Sequence, residues 1–148
     1  ISDEQHKLMS STKLLPNDVL LNITGASIGR SAVVPDSFRE GNVNQHVCII
    51  RPQHSISANY LMYFLCSSLG QKQIDSFQAG GNREGLNFQQ IRKFIIPLPT
   101  VNEQDKIVTS LQRIDSFIES NENYSYGLER LKSGLMQDLL TGKKRVKV

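Results

Sequence analysis

Apolar residues recur along the chain at two periods, and each period predicts its own elements. Over 19–24 (VLLNIT), Val19, Leu21 and Ile23 alternate with Leu20, Asn22 and Thr24. That period of two fits a strand with one buried face, entered through the turn Pro16-Asn17-Asp18. Ser31–Val34 is a second short strand, stopped by Pro35, and Val47–Arg51 a third, closed by Pro52. Phe94, Ile95 and Ile96 predict a fourth, running into Pro97 and Pro99. Between these runs Leu61, Phe64, Leu65 and Leu69 recur at helical spacing. They predict an amphipathic helix over 58–69, with Ser57 as its N-cap and Gly70 at its end. Residues 71–78 carry Ile74 and Phe77 and read as a further helical turn or two. Asn87 and Gln90 form a capping pair for a short helix over 88–93.

The longer period governs the last third. Thr100 stands three residues before Glu103, the spacing of a capping box, and Asp105 adds a first-turn charge that the helix dipole favours. From there Ile107, Leu111, Ile114, Ile118, Leu128, Leu135 and Leu139 fit one heptad frame, with Asn121, Ser125 and Lys132 as its polar members. Gly142 stands where a left-handed cap would end the helix. A helix of roughly forty residues spans about 60 Å, longer than a domain of this size needs for its own core. Such a seam calls for a second helix. Two shorter helices hinged near 121–127 are the alternative, because Asn121, Asn123, Ser125 and Gly127 are poor helix formers.

The predicted architecture is α+β: a small mixed sheet with short helices over 1–99, a long coiled-coil-type helix over 100–142, and a basic tail over 143–148. The polar loop over 1–17 opens abruptly, so the chain is expected to be a fragment of a longer protein. No run of eighteen apolar residues predicts a membrane span, and no apolar leader is seen, which favours the cytoplasm. Cys48 and Cys66, both in apolar runs, are expected to be buried free thiols. The net charge of +3 is unevenly distributed. Residues 1–102 hold nine basic and seven acidic groups, 103–142 four and seven, and 143–148 four basic and no acidic groups. The body is near neutral, so a polyanion would be met by a few placed side chains, not by a general field.

Catalytic patterns are lacking. His6, His46 and His54 show no metal spacing with the cysteines, and the run 25–31 (GASIGRS) lacks the lysine of a phosphate-binding loop. No nucleophile elbow is present. Three loops carry candidate chemistry. In the turn 25–30, Ser27 and Arg30 stand where backbone N–H groups and a guanidinium can meet phosphate, or the turn simply joins two strands. In 41–46 (GNVNQH), Asn44, Gln45 and His46 suit base-edge contacts, since Asn or Gln can pair bidentately with adenine, while holding the loop together is the favoured role for Asn44 and Gln45. The glycine-rich loop 79–85 presents Asn82 and Arg83, or is solvent loop. Lys13 and Lys72 are phosphate candidates.

In sequence order the motifs are DVLLNITGASIGR, NVNQHVCIIRP, NYLMYFLCSS, AGGNREGLNFQQIRKFIIPLPTVNEQDKIVTSLQRIDSFIE and LERLKSGLMQDLLTGKKRV. Over about 14–146 the chain resembles the target-recognition domain and following helix of the specificity subunit of type I restriction–modification enzymes. The resemblance implies a non-catalytic subunit with no cofactor of its own, reading one half of a bipartite sequence in double-stranded DNA. It implies methyltransferase and restriction subunits as partners. It implies that the helix pairs with another, from the same subunit or a second copy, and sets the spacing of the half-sites. A helical adaptor whose loops bind protein is the rival reading, kept open by the acidic helix.

Overall fold

A computed structural model of the chain describes residues 12–78 and 85–146. Three strands form one antiparallel sheet: β1 (Val19–Asn22), β2 (Ser31–Val33) and β3 (Val47–Ile50), in the order β2-β1-β3. Val19 pairs with Val33 on one side and Ile50 on the other, and Leu21 with Ser31 and Cys48. The alternation in the sequence sets the buried face: Val19, Leu21 and Ile23 are buried, while Leu20 and Asn22 are only half-buried.

Two short helices cover the sheet. Helix α1 (Ala58–Cys66) buries Ala58, Leu61 and Leu65 against Val19, and α2 (Ser68–Gln78) buries Ile74 against Leu21, Ile23, Cys48 and Leu86. The single helix expected over 58–69 is broken at Ser67, whose extended backbone (ψ 162°) ends α1. Its hydroxyl donates to the Phe64 carbonyl and accepts from the Gly70 N–H, so it caps both helices. Gly70 does not terminate α1; it lies inside α2, where a Cβ would stand 2.3 Å from the Phe64 carbonyl oxygen. Ser57 caps with its backbone only, donating its N–H to Gln104 at 2.8 Å.

The expected strand at 94–96 is not one. Its hydrogen-bond partner is a side chain: Gln73 accepts from the Ile95 N–H (2.8 Å) and donates to the Ile95 carbonyl (3.0 Å). Helix α3 (Phe88–Ile91) is shorter than predicted but carries both halves of its capping box between Asn87 and Gln90. Both thiols are free; Cys48 is buried as expected, but Cys66, the last residue of α1, is exposed.

Helix α4 (Val101–Leu140) is continuous through 121–127, without the alternative hinge. Asn121 folds back on the preceding turn, donating to the Phe117 carbonyl at 2.7 Å. At its start the Thr100 hydroxyl accepts from the Glu103 N–H at 3.4 Å, but Glu103 does not return the bond. After its last turn Gly142 takes the left-handed conformation (φ 74°), and Lys143 and Lys144 reach back to Asp138. No described helix is long and apolar enough to cross a membrane.

The chain divides into two compact units, Ile1–Val108 and Thr109–Val148. The first includes the opening turns of α4, where Gln104 and Val108 are buried. In the second, every described residue is exposed except Asp138, which is half-buried, and the seam residues Leu111, Ile114, Ile118, Leu128, Leu135 and Leu139 all stand in solvent. Ile107, just inside the first unit, is exposed as well.

Candidate nucleic-acid interface

The two ends of the sheet are built differently. Where β1 begins and β3 ends, Asp18 is fully buried and accepts from Arg51 Nε (2.7 Å) and Nη2 (2.8 Å) and from the Leu15 N–H (2.7 Å). Burial by itself would raise the Asp18 carboxyl. The Arg51 hydrogen bonds, the Leu15 N–H and the Arg51 charge outweigh it and hold the group below its ordinary value. The reciprocal effect raises Arg51. A bidentate pair between the strand termini closes this end.

The other end collects the loops. Ile23 continues β1 and donates its N–H to the His46 carbonyl at 2.9 Å. Its own carbonyl accepts from the Leu86 N–H at 2.8 Å, and Thr24 bridges to Gly85. Between Thr24 and β2 runs the tight turn of Gly25–Ser27, with Gly25 (φ 72°) and Gly29 (φ 85°) in the left-handed region that glycine tolerates. Gly29 has a second reason to be glycine, because a Cβ there would stand 2.6 Å from the Gln71 side chain, which donates to its carbonyl. The strand β1 thus ends among three loops that the sequence kept far apart: 25–30, 41–46 and the segment leaving 79–84.

The predicted residues distribute unevenly over this arrangement. Arg30 is exposed at the end of the turn, and its carbonyl is held by the Asn22 N–H at 2.9 Å. Asn44, Gln45 and His46 are exposed on the loop entering β3. The Asn44 side chain is engaged within the loop, accepting from the His46 N–H at 3.0 Å. The His46 ring lies between Thr24 Oγ1, 2.5 Å from Nδ1, and Gln45 Nε2, 3.3 Å from Nε2. Asn82 and Arg83 lie outside the described residues, although the loop that carries them rejoins the fold at Gly85, beside Thr24. Lys13 bridges to Asn42 and lies 3.8 Å from Glu40. Lys72 is elsewhere, on a separate and mainly apolar groove with Phe64, Leu69, Ile95 and Pro97.

A groove of about 760 Å³ runs beside the loop end, lined among others by Thr12, Asn42, Asn44, Gln45, Ile49 and Phe88. Phe88 was not singled out from the sequence. Its neighbour Asn87 fixes the start of α3, and the first helical residue is left 61% exposed. An aromatic directly after a capping residue was the available signal. Arg92 and Lys93, both exposed just past α3, add positive charge to this unit. No described group of histidine, cysteine and carboxylate side chains could hold a metal ion. Burial pushes the Cys48 thiol up, away from reactivity. Amides, a hydroxyl, an imidazole and a guanidinium at a loop-rich sheet end are groups suited to hydrogen-bonded recognition.

A family model described as the type I restriction modification DNA specificity domain matches residues 4–130. The chain belongs to that family. It is 27% identical over 139 residues to the type I restriction enzyme StySPI specificity subunit of Salmonella potsdam, covering 89% of this chain and 30% of that protein. It is 27% identical over 141 residues to the EcoBI specificity subunit of Escherichia coli, covering 95% of this chain and 29% of that one. The chain therefore spans about a third of the length of these relatives. A solved chain from work on complex assembly and conformational transition of the type I R-M system shares the fold, with a TM-score of 0.63 at 20% identity. That match covers 86% of this chain and 31% of the solved one. The specificity-domain family and the α+β fold expected from the motifs are both found.

Proposed function

We propose that this specificity domain reads one half of a bipartite target in double-stranded DNA through the loop end of its sheet. The reading rests on one observation above others: Ile23 and Thr24 draw the turn 25–30, the loop 41–46 and the exit of the glycine-rich loop to a single strand end. Phosphate contacts from lysine and arginine would set position, and side-chain amides at base edges would set sequence. Arg30 and Lys13 are the described candidates for the first role, and Asn44, Gln45 and His46 for the second. Arg83 and Asn82 are carried forward from the sequence alone. The domain performs no chemistry in this reading. Methyltransferase subunits and, through them, restriction subunits assemble on it, and the exposed seam of α4 pairs with another helix from the same subunit or from a second copy.

The test uses the specificity subunit that carries this chain, expressed with its methyltransferase subunits. Exchanging residues 12–99 for the matching segment of a relative should replace one half of the modified DNA motif and leave the other half and its register intact. An unchanged motif after the exchange would end this reading. Duplex DNA binding should also weaken linearly in log salt, with a slope set by the number of phosphates neutralised.

A further inference from the structure

We propose that Gln45 reads an A·T pair in the half-site, and that His46 and Thr24 are the positioning residues that set its amide. This rests on the DNA reading above and deepens it to a single side chain.

The inference follows from where the polar groups of the loop are already engaged. Asn44 Oδ1 accepts from the His46 N–H, and the Asn44 carbonyl accepts from the Val47 N–H at 3.2 Å. That side chain holds the loop. Thr24 is fixed on two sides, with its N–H on Asn22 Oδ1 at 3.3 Å and its backbone bridged to Gly85. His46 is fixed by its own carbonyl, which accepts from Ile23. An anchored hydroxyl and an anchored imidazole therefore stand in line, and the amide of Gln45 continues that line.

The chemistry of the line fixes its directions. An amide nitrogen can only donate, so with Gln45 Nε2 against the ring, His46 Nε2 is the acceptor. The neutral ring then carries its proton on Nδ1 and donates it to Thr24 Oγ1. One amide N–H of Gln45 is spent on the ring. The other N–H and Oε1 have no partner among the described residues, and the side chain is exposed beside the groove. One donor next to one acceptor complements the N7 acceptor and N6 donor of adenine in the major groove. Guanine offers two acceptors there, cytosine only a donor from its amino group, and thymine only an acceptor, so each leaves one half of the amide unmatched.

The experiment reads the modified motif, base by base, in cells whose only DNA modification comes from the complete methyltransferase complex containing this chain. The wild-type half-site should contain an A·T pair whose preference falls roughly 5- to 150-fold in Gln45→Ala, the range for one bidentate base contact. Gln45→Glu, an acceptor-only isostere, should move the same position towards C·G. Thr24→Val should weaken discrimination at that position alone, and Thr24→Ser, which keeps the hydroxyl, should restore it. A structural role for Thr24 would instead lower modification equally at all positions. Wild-type preference at every position in Gln45→Ala overturns the inference, as does loss of modification at every sequence in both Gln45 variants. If the exchange of residues 12–99 replaces the half-site while the Gln45 variants leave it unchanged, this inference fails and the DNA reading stands. If the exchange itself changes nothing, the DNA reading fails.

Discussion

Asp18 shows how a single side chain can hold the closed end of the sheet. It is fully buried, and its two oxygens take three hydrogen bonds from Arg51 and Leu15. Its folded-state pKa lies below the ordinary 3.8, because Arg51 and the Leu15 N–H overcome the effect of burial. The stability this contributes is complete above about pH 4, where the unfolded carboxyl is also ionised, and is lost as pH falls through the lower folded value. Asp18→Asn should therefore cost about 1–3 kcal/mol at neutral pH in urea unfolding. Its stability should also decline less steeply than the wild type's below about pH 4. The low end of that range is favoured because the Arg51 side chain is 53% exposed, which screens the pair. An unchanged urea midpoint at neutral pH would show that the pair holds nothing. Little of this was legible in the sequence: Asp18 reads as a turn residue, and its partner lies thirty-three positions away. The same limit applies at the other end. Asn44 and Gln45 are adjacent and chemically alike, and only their hydrogen bonds separate them: Asn44 accepts from the His46 N–H within the loop, while Gln45 meets the His46 ring.

At the scale of elements, the packing of the opening turn of α4 within the first unit depends on Gln104. This side chain is fully buried. It accepts from the Ser57 N–H at 2.8 Å and donates to the carbonyls of Ser55 and Pro99, both at 2.9 Å. It thereby satisfies the free N–H at the start of α1 and ties the Pro-Leu-Pro segment to the same point. Gln104→Leu keeps a comparable volume and strands three backbone groups, which should cost about 2–4 kcal/mol. Hydrogen exchange gives the local check: the Ser57 amide should lose its protection, and retained protection would refute the role. The sequence contained the Glu103-Gln104 pair but suggested only the capping function of Glu103. The three strands were legible because alternation and proline stops are local signals. The break at Ser67 and the non-strand at 94–96 were not. Both depend on side chains that supply backbone-like hydrogen bonds, Ser67 within the expected helix and Gln73 from outside the segment 94–96. A pattern of apolar spacing carries no information about such substitutes.

At the scale of the whole molecule, the exposed seam of α4 is the face that the proposed second helix would cover. In its heptad frame Leu111, Ile118 and Leu139 occupy one core line, and Ile107, Ile114, Leu128 and Leu135 the other; all are exposed. Phe117, Tyr124 and Leu131 flank them at steps of seven and are also exposed. Burying a leucine or isoleucine contributes about 1.5–3 kcal/mol, so a helix that leaves seven such residues in water forgoes a large stabilisation that a second helix would supply. The glycines fit the same frame. Gly127 and Gly134 share one heptad position off both core lines, and no atom lies within 4 Å of a Cβ added at either. No contact within this chain requires glycine at either, and with Gly127 off both core lines Gly127→Ala should stabilise the helix by about 1 kcal/mol while leaving any assembly intact. Leu111→Asp places a charge in the seam and should have the opposite profile. The unfolding of the first unit should be unchanged, because Leu111 lies outside it, while the mass of the complex with the second helix or with the methyltransferase subunits should fall. Light scattering on the two variants, side by side, separates the possibilities. A Leu111→Asp protein that keeps the wild-type assembly mass would show that this face of α4 is not where a partner helix sits.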